Sequence, residues 1–171
     1  MHRPVRFTLY PTVNKTAVRD QILLRLREEF VLQTRAALLS RDEAISEESR
    51  PENQYDMHSQ EAAYLAEGQA RLAAEIAESI KRYESLTLAD CRPSDPTSIG
   101  ALVAVEQGEK KKWYFIGPRG GGLDVQVDGA DVLVLTPQSP LGRALMGKRQ
   151  GDSVKLPGAT NGQVSRISAV T

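Results

Sequence analysis

The fold is decided by the stretch TPQSPLGRALMGK, which occupies residues 136–148. Ser139 is a preferred residue type for a helix N-cap, Pro140 for the first helical position, and Gly147 for the residue that ends a helix. The stretch therefore predicts one short helix over residues 140–146. Alternating or continuous apolar runs predict strands at 99–105, 112–116, 123–127, 132–135, 154–156 and 164–170. Residues 98–171 are thus expected to form a small α+β domain, an antiparallel sheet with one helix.

The preceding part of the chain is expected to be helical, because only one of the 13 glycines, Gly68, lies before residue 100. Apolar residues recur every three or four positions over two long segments, with Leu65 and Leu72 on the stripe of the second. Asn14 is a suitable N-cap for the first helix, and Pro51 can open the second. The stripe of the second helix is narrow, which favours two helices that pack on each other as an antiparallel coiled-coil hairpin.

These patterns divide the chain into an N-terminal extension (1–13), the coiled-coil hairpin (14–86), a linker (87–97) and the sheet domain (98–171). The joint between the two helices is an acidic tip near residues 47–56. The acids at and beside this joint are Asp42, Glu43, Glu47, Glu48, Glu52 and Asp56, against Arg41 and Arg50. The helix dipole accounts for Glu52 and Asp56 at the start of the second helix. Carboxylates on a protruding tip could also supply oxygen ligands to a divalent ion in a partner's site.

The composition excludes several classes of function. The chain has 22 basic and 22 acidic side chains, so it is not held on nucleic acid mainly by bulk positive charge. Its single cysteine, Cys91, is typical of a reducing cytosol, and no apolar run approaches the ~20 residues that span a bilayer. Two histidines are too few for a zinc centre, and the glycines at 120–122 lead into a strand rather than a phosphate-binding helix.

The stretch that decides the fold also resembles a known family. Residues 136–148, with Gly151 and Asp152 after them, are similar to the signature S-P-[LI]-[AG]-[RK]-[AG]-L-[ILM]-G-K…G-D of the Gre transcript-cleavage factors (GreA/GreB). Residues 51–53, with Tyr55 and Glu61, resemble the acidic tip of that family. The resemblance covers residues 15–171. It implies that the second domain is FKBP-like and docks on RNA polymerase.

The resemblance further implies a bacterial, cytoplasmic transcription elongation factor that is not itself an enzyme. Its coiled coil would enter the secondary channel of RNA polymerase, and the polymerase would then cleave backtracked RNA. The RNA 3′ end and DNA would be partners only within the elongation complex, and no membrane would be involved.

Particular residues are expected to carry this function. Glu48 and Glu52 would assist the magnesium of the polymerase active centre, so no metal is expected to be bound stably in the free protein. The tip would be supported by Glu47, Asn53 and Asp56, and docking would involve Ser139, Pro140 and Leu141.

The tip departs from the family pattern at one position. Matching Glu52 and Asn53 to the family's D-x-x-E-N places Ser49 where the Asp belongs. Glu48, one position earlier, would substitute for that Asp if the turn differs. Otherwise the chain would act as a non-cleaving secondary-channel regulator or as a competitor of Gre factors.

A distant alternative is an FKBP-like isomerase or chaperone module. Such a module needs an apolar, aromatic-lined pocket for proline. The aromatic residues of the second domain are Trp113, Tyr114 and Phe115. Because consecutive strand residues point to opposite faces, these three cannot all line one pocket.

Overall fold

The structure is a computed structural model that describes residues 13–46, 58–157 and 164–171. The elements, in chain order, are α1 (Lys15–Ile45), α2 (His58–Glu84), β1 (Leu102–Gln107), β2 (Lys110–Ile116), β3 (Asp124–Val127), β4 (Ala130–Leu135), α3 (Pro140–Leu145), β5 (Ser153–Val154) and β6 (Ser165–Val170). The predicted fold class is confirmed: a long helical hairpin precedes a small sheet domain with one short helix.

The described residues fall into two compact units. The hairpin unit contains α1 from Ile22 onward together with α2. The sheet unit contains the sheet, α3 and the first turns of α1, as well as the predicted linker, 87–97.

Within the hairpin unit, α1 and α2 lie antiparallel. Arg27 Nη2 is 2.7 Å from Glu84 Oε1, and Ser40 Oγ donates a hydrogen bond to Gln69 Oε1 at 3.1 Å. Because the partner's number falls as the residue number on α1 rises, these two contacts define an antiparallel pair. The buried apolar side chains of this unit are Ile22, Leu23, Leu26, Ala62, Ala73 and Tyr83.

The seam on α2 differs from the predicted stripe. Leu65 and Leu72 were expected on it, but they are 55% and 49% exposed, whereas Ala73 is buried. A helix turns by about 100° per residue, so each leucine lies well to one side of the alanine that follows it, Ala66 or Ala73. The seam passes through these alanines, and the leucines remain in solvent.

The start of α1 belongs to the sheet unit and is capped as predicted. Asn14 Oδ1 accepts hydrogen bonds from the backbone N–H groups of Thr16 and Ala17, at 2.9 and 3.1 Å. The backbone N–H of Asn14 donates to Asp128 Oδ2 at 3.1 Å, and Lys15 Nζ donates to the carbonyl of Ala89 at 2.5 Å. These contacts attach the first residues of α1 to the sheet unit.

The six strands form one sheet in the order β3-β4-β2-β1-β6-β5. Four of the five pairs are antiparallel, but β2 and β4 are parallel, with Tyr114 opposite Leu133 and Ile116 opposite Leu135. The exception to the predicted antiparallel pairing arises because β3 and β4 form a hairpin that inserts β4 beside β2. Apolar alternation determines which side chains share a face, and it does not determine strand direction.

One tight turn follows directly from its sequence. Asp128 and Gly129 connect β3 to β4 and have positive φ angles of 53° and 76°. Two successive positive φ angles define the type I′ hairpin turn that an Asp-Gly pair favours. The predicted hairpin at this point is confirmed.

One face of the sheet packs against α3. On this face the core contains the side chains of Val103, Val105, Tyr114, Ile116, Leu135 and Ile167 from the sheet, and Leu145 from α3. The opposite face carries Leu102, Phe115, Val132 and Val134, which are also fully buried. Both faces of the central strands are therefore covered, which explains the nearly continuous apolar runs in β1 and β4.

The predicted linker makes specific contacts at its C-terminal end. The backbone N–H and the hydroxyl of Thr97 donate to the carbonyl of Lys148 at 2.7 and 2.8 Å, and Arg149 Nε donates to the carbonyl of Ser94 at 2.8 Å. Cys91 is a free thiol packed against the core of the sheet unit. Among the helices of the described ranges, none is long and apolar enough to cross a membrane.

Candidate functional site

The first turn of α3 is positioned by Ser139. Its backbone is extended, with φ −65° and ψ 151°, and its hydroxyl accepts a hydrogen bond from the N–H of Gly142 at 3.0 Å. The same hydroxyl donates to the carbonyl of Thr136 at 2.8 Å. The predicted N-cap is thus confirmed. Since both hydrogen bonds are internal, Ser139 acts mainly by holding α3 at the end of β4.

Gly142 allows α3 to approach the chain that leads into it. A Cβ atom at this position would overlap the carbonyl oxygen of Thr136 and lie 2.8 Å from Ser139 Oγ. A side chain would therefore push the first turn of α3 away from residues 136–139. The absence of one keeps Pro140 and Leu141 close to the edge of the sheet.

A groove of about 560 Å³ lies beside α3 and is here named the docking groove. It is lined by Gln107, Lys112, Tyr114, Leu133, Leu135, Ser139, Pro140, Leu141, Leu156 and Pro157. Tyr114 and Leu135 are buried, Leu133, Leu141 and Leu156 are partly buried, and Pro140 is exposed. The groove therefore has an apolar floor that solvent reaches. The three residues predicted to dock on a partner line this one groove, while their docking role stays a prediction.

A second depression, of about 600 Å³, shares Lys112, Tyr114 and Leu133 with the docking groove. Its lining also contains Asp124 and Asp131, together with Lys111. The two depressions therefore adjoin at their shared residues, with side chains of both charges in the second and mostly apolar side chains in the docking groove. Burial raises the pKa of Tyr114 above its ordinary value of 10.0. Its phenol can donate a hydrogen bond at physiological pH.

The sheet side of the docking groove was not predicted from the sequence. Tyr114 and Leu133 lie side by side because β2 and β4 pair in parallel. Their alternation in the sequence shows only that each could face a core. The register that brings them together is a tertiary feature, and no local pattern signals it.

The docking groove does not have the lining that a proline-binding pocket needs. Of Trp113, Tyr114 and Phe115, only Tyr114 lines it. Phe115 is fully buried and, as its neighbour in the strand, points to the opposite face. Of the two depressions described here, neither is lined by all three aromatic residues, as predicted, although Trp113 and Tyr114 both line the second. This lining weighs against the isomerase alternative.

The acidic tip falls outside the described residues. This applies to Glu47, Glu48, Ser49, Glu52, Asn53 and Asp56, so their roles stay predictions. At the described end of α1, Asp42 is exposed and its Oδ1 is 2.9 Å from Arg41 Nη2. In ranges 13–46, 58–157 and 164–171, no three His, Cys, Asp or Glu side chains are grouped to hold a metal ion.

Comparisons with known proteins give matches among solved structures alone. No protein-family model matches the chain, and no curated protein matches its sequence. The GreA factor homolog 1 (Gfh1) of Thermus thermophilus is 19% identical over 91% of this chain and 93% of its own, with a TM-score of 0.38. The Gfh1 of Thermus aquaticus is 22% identical over 91% of this chain and 93% of its own, with a TM-score of 0.35. At these TM-scores the likeness assigns neither a family nor a function to this chain.

Proposed function

We propose that this chain is a bacterial, cytoplasmic transcription factor that binds RNA polymerase through the docking groove and inserts its hairpin into the secondary channel. The observation that carries this proposal is the position of Pro140 and Leu141. They belong to the stretch that resembles the Gre signature, and they lie at the solvent-accessible edge of an apolar groove.

The composition of the docking groove suits a protein partner. Leu133, Leu141 and Leu156 are only partly buried, so an apolar side chain of a partner would remove further carbon surface from water. Lys112 and Gln107 stand at the margin. Interfaces commonly combine an apolar centre with a polar rim, and a few anchors at the centre provide most of the binding energy.

The hairpin unit suits insertion into a channel. Its helices contain 31 and 27 residues, which corresponds to lengths of about 46 and 40 Å at 1.5 Å per residue. Helices of this length could carry the tip deep into a partner. The charged side chains along both helices would keep the hairpin soluble while it is free.

The chemistry that we propose for the tip belongs to the polymerase. Glu48 and Glu52 would add carboxylate oxygens around the polymerase's Mg²⁺, which activates water and stabilises the charge on the phosphoryl group that is attacked. Glu47, Asn53 and Asp56 would shape the tip. The factor would therefore stimulate cleavage of backtracked RNA without an active site of its own. It would contact the RNA 3′ end and DNA only inside the elongation complex.

A second candidate function is a non-cleaving regulator that occupies the same channel. The observation that favours it is Ser49, which stands where the family pattern D-x-x-E-N has its Asp. With Glu48 displaced by one residue, the two carboxylates would not converge on one ion. The chain would then compete with Gre factors for the channel.

The experiment that separates the two functions combines binding with cleavage. The full chain is first tested for co-purification with core RNA polymerase, and then added to a stalled, backtracked elongation complex. For a cleavage factor, Glu52→Ala should abolish stimulated cleavage and leave polymerase affinity nearly unchanged. Ser49→Asp should increase cleavage. Glu29→Ala, which removes an exposed acid from the middle of α1, is the matched control and should change neither.

The outcomes distinguish a cleavage factor, a non-cleaving regulator and a chain that does not bind polymerase. The regulator would be established if the wild-type chain binds polymerase without stimulating cleavage and only the Ser49→Asp variant stimulates it. Failure to co-purify under any condition would overturn both functions. If cleavage by Glu52→Ala partly returns at raised magnesium, the lost carboxylate acts through occupancy of the ion.

A further inference from the structure

The side of α1 that faces away from its buried residues carries a row of exposed apolar side chains. Leu24, Val31, Leu32 and Leu39 are 48%, 62%, 66% and 63% exposed. At about 100° per residue, Leu24 and Val31 point away from the buried Ile22. Together with Glu28 and Arg35, which lie between them, these four residues are here named the outer face of α1. A contiguous exposed apolar patch is a candidate interaction surface.

The residues of the outer face are arranged symmetrically about the midpoint between Val31 and Leu32. Leu24 and Leu39 lie equally far from that midpoint on either side, and so do Glu28 and Arg35. The symmetric positions therefore pair apolar with apolar and negative with positive. A helix with such a pattern is complementary to a second copy of itself that runs in the opposite direction.

An antiparallel second copy would pair all six residues of the outer face, and Leu38, which is 48% exposed beside this face, would lie opposite Arg25. Leu24 would face Leu39 of the second copy, Glu28 would face its Arg35, and Val31 would face its Leu32. Each contact would occur twice, as a two-fold symmetric interface requires. A parallel arrangement would instead place Glu28 on Glu28 and Arg35 on Arg35, which like-charge repulsion opposes.

The charges of the outer face are available for such an interface. Within the described residues, Arg27 pairs with Glu84 and Arg41 with Asp42, whereas neither Glu28 nor Arg35 forms an ion pair. Both of these side chains are exposed. A shallow groove lined by Leu24, Arg27, Glu28, Val31 and Leu32 lies on this face, and its lining could receive Leu39 of a second copy.

We propose that a second copy of this chain binds antiparallel along the outer face of α1, forming a two-fold symmetric dimer centred between Val31 and Leu32. The charge-complementary symmetry of the face selects this occupant. The proposal concerns the hairpin unit alone and does not depend on the function proposed above.

Charge exchange in the full-length chain tests the interface by sedimentation over a wide concentration range. Glu28→Arg and Arg35→Glu should each weaken dimerisation about tenfold or more, because each places like charges opposite one another twice. The double variant restores opposite charges and should recover most of the affinity. Leu24→Gln should also weaken the dimer, while Leu72→Gln on α2, where the leucine is 49% exposed, is the matched control.

Disulfide formation tests the register. In a Cys91→Ser background, Leu32→Cys should cross-link readily, because this position lies next to its own counterpart across the two-fold axis. Leu24→Cys should not, because its counterpart would lie roughly 22 Å away along the helix, beyond the ~7 Å between Cα atoms that a disulfide spans.

Several results would overturn the dimer. These are a chain that stays monomeric at all concentrations, equal cross-linking at both positions, or a double charge variant no better than the single ones. A monomeric chain whose polymerase binding is weakened by Leu24→Gln and Glu28→Arg would assign the outer face to the polymerase. That result would reject the dimer and leave the proposed function standing. Unchanged helical circular dichroism confirms that each variant is folded.

Discussion

Two leucines on α3 allow docking to be separated from folding. Leu141 is partly buried, packs against the core of the sheet unit and lines the docking groove. Leu145, one turn later, is fully buried in the same core and does not line the groove. Changing each to Ala removes the same atoms from the same helix. Only Leu141→Ala changes the surface that a partner would meet.

The two substitutions are expected to rank in opposite orders for their effect on stability and for their effect on polymerase binding. Leu145→Ala should lower the free energy of unfolding by about 2–5 kcal/mol, the usual range for a buried leucine. Leu141→Ala should cost about half as much, since part of its surface is already in water. For polymerase binding the order reverses: truncating an interface anchor costs about 1–2 kcal/mol, which is roughly a 5- to 30-fold weaker affinity. Leu145→Ala should leave the affinity of the folded protein within about twofold.

The assay is a titration of fluorescently labelled full-length chain with core RNA polymerase, followed by anisotropy. A loss of about 1 kcal/mol lowers the melting temperature of a domain this small by roughly 4–8 °C, so binding must be measured well below both melting midpoints. If Leu141→Ala binds as tightly as the wild type, the docking groove is not the docking surface. If Leu145→Ala weakens binding equally, the groove acts only through the stability of the sheet unit.

Two further predictions concern stability. Ser139→Ala should lower the free energy of unfolding by about 1 kcal/mol through loss of the N-cap. Ser139→Thr keeps the hydroxyl and should preserve most of that free energy. Thermal melts followed by circular dichroism measure both variants, and equal losses of stability would contradict a role for the cap. Burial raises the pKa of Tyr83 and Tyr114 above 10.0, so the unfolded chain loses these protons first. Stability should therefore be intact below pH 10.0 and fall as the pH rises above it, and urea unfolding of Tyr83→Phe should show a smaller fall.

Features set by a few neighbouring residues could be predicted from the sequence. The cap at Asn14, the turn at Asp128-Gly129 and the cap at Ser139 each depend on hydrogen bonds or φ angles within about four residues. The division into one long hairpin and one small sheet could also be predicted, because glycine and proline are unevenly distributed between the two halves of the sequence.

Features that depend on packing between distant segments could not be predicted. The parallel β2–β4 pair is one, since an apolar run is compatible with either strand direction. The exposure of Leu65 and Leu72 is another such feature, because the alanines that follow them pack at the seam and the leucines lie in solvent. For the same reason the sequence identified Leu141 but not Tyr114 or Leu133, which complete the docking groove across the sheet.

The stretch at 136–148 combines two kinds of residue, and only one kind bears on the docking that we propose. Ser139, Gly142 and Leu145 are used internally, for the cap, the close approach to Thr136 and the core. These three residues stabilise a helix in this position beside the sheet, whatever the protein does. Pro140 is exposed and Leu141 is partly exposed, so both side chains contribute less to the stability of the fold. In variants that stay folded, polymerase binding should therefore depend on Pro140 and Leu141 more than on Ser139, Gly142 or Leu145.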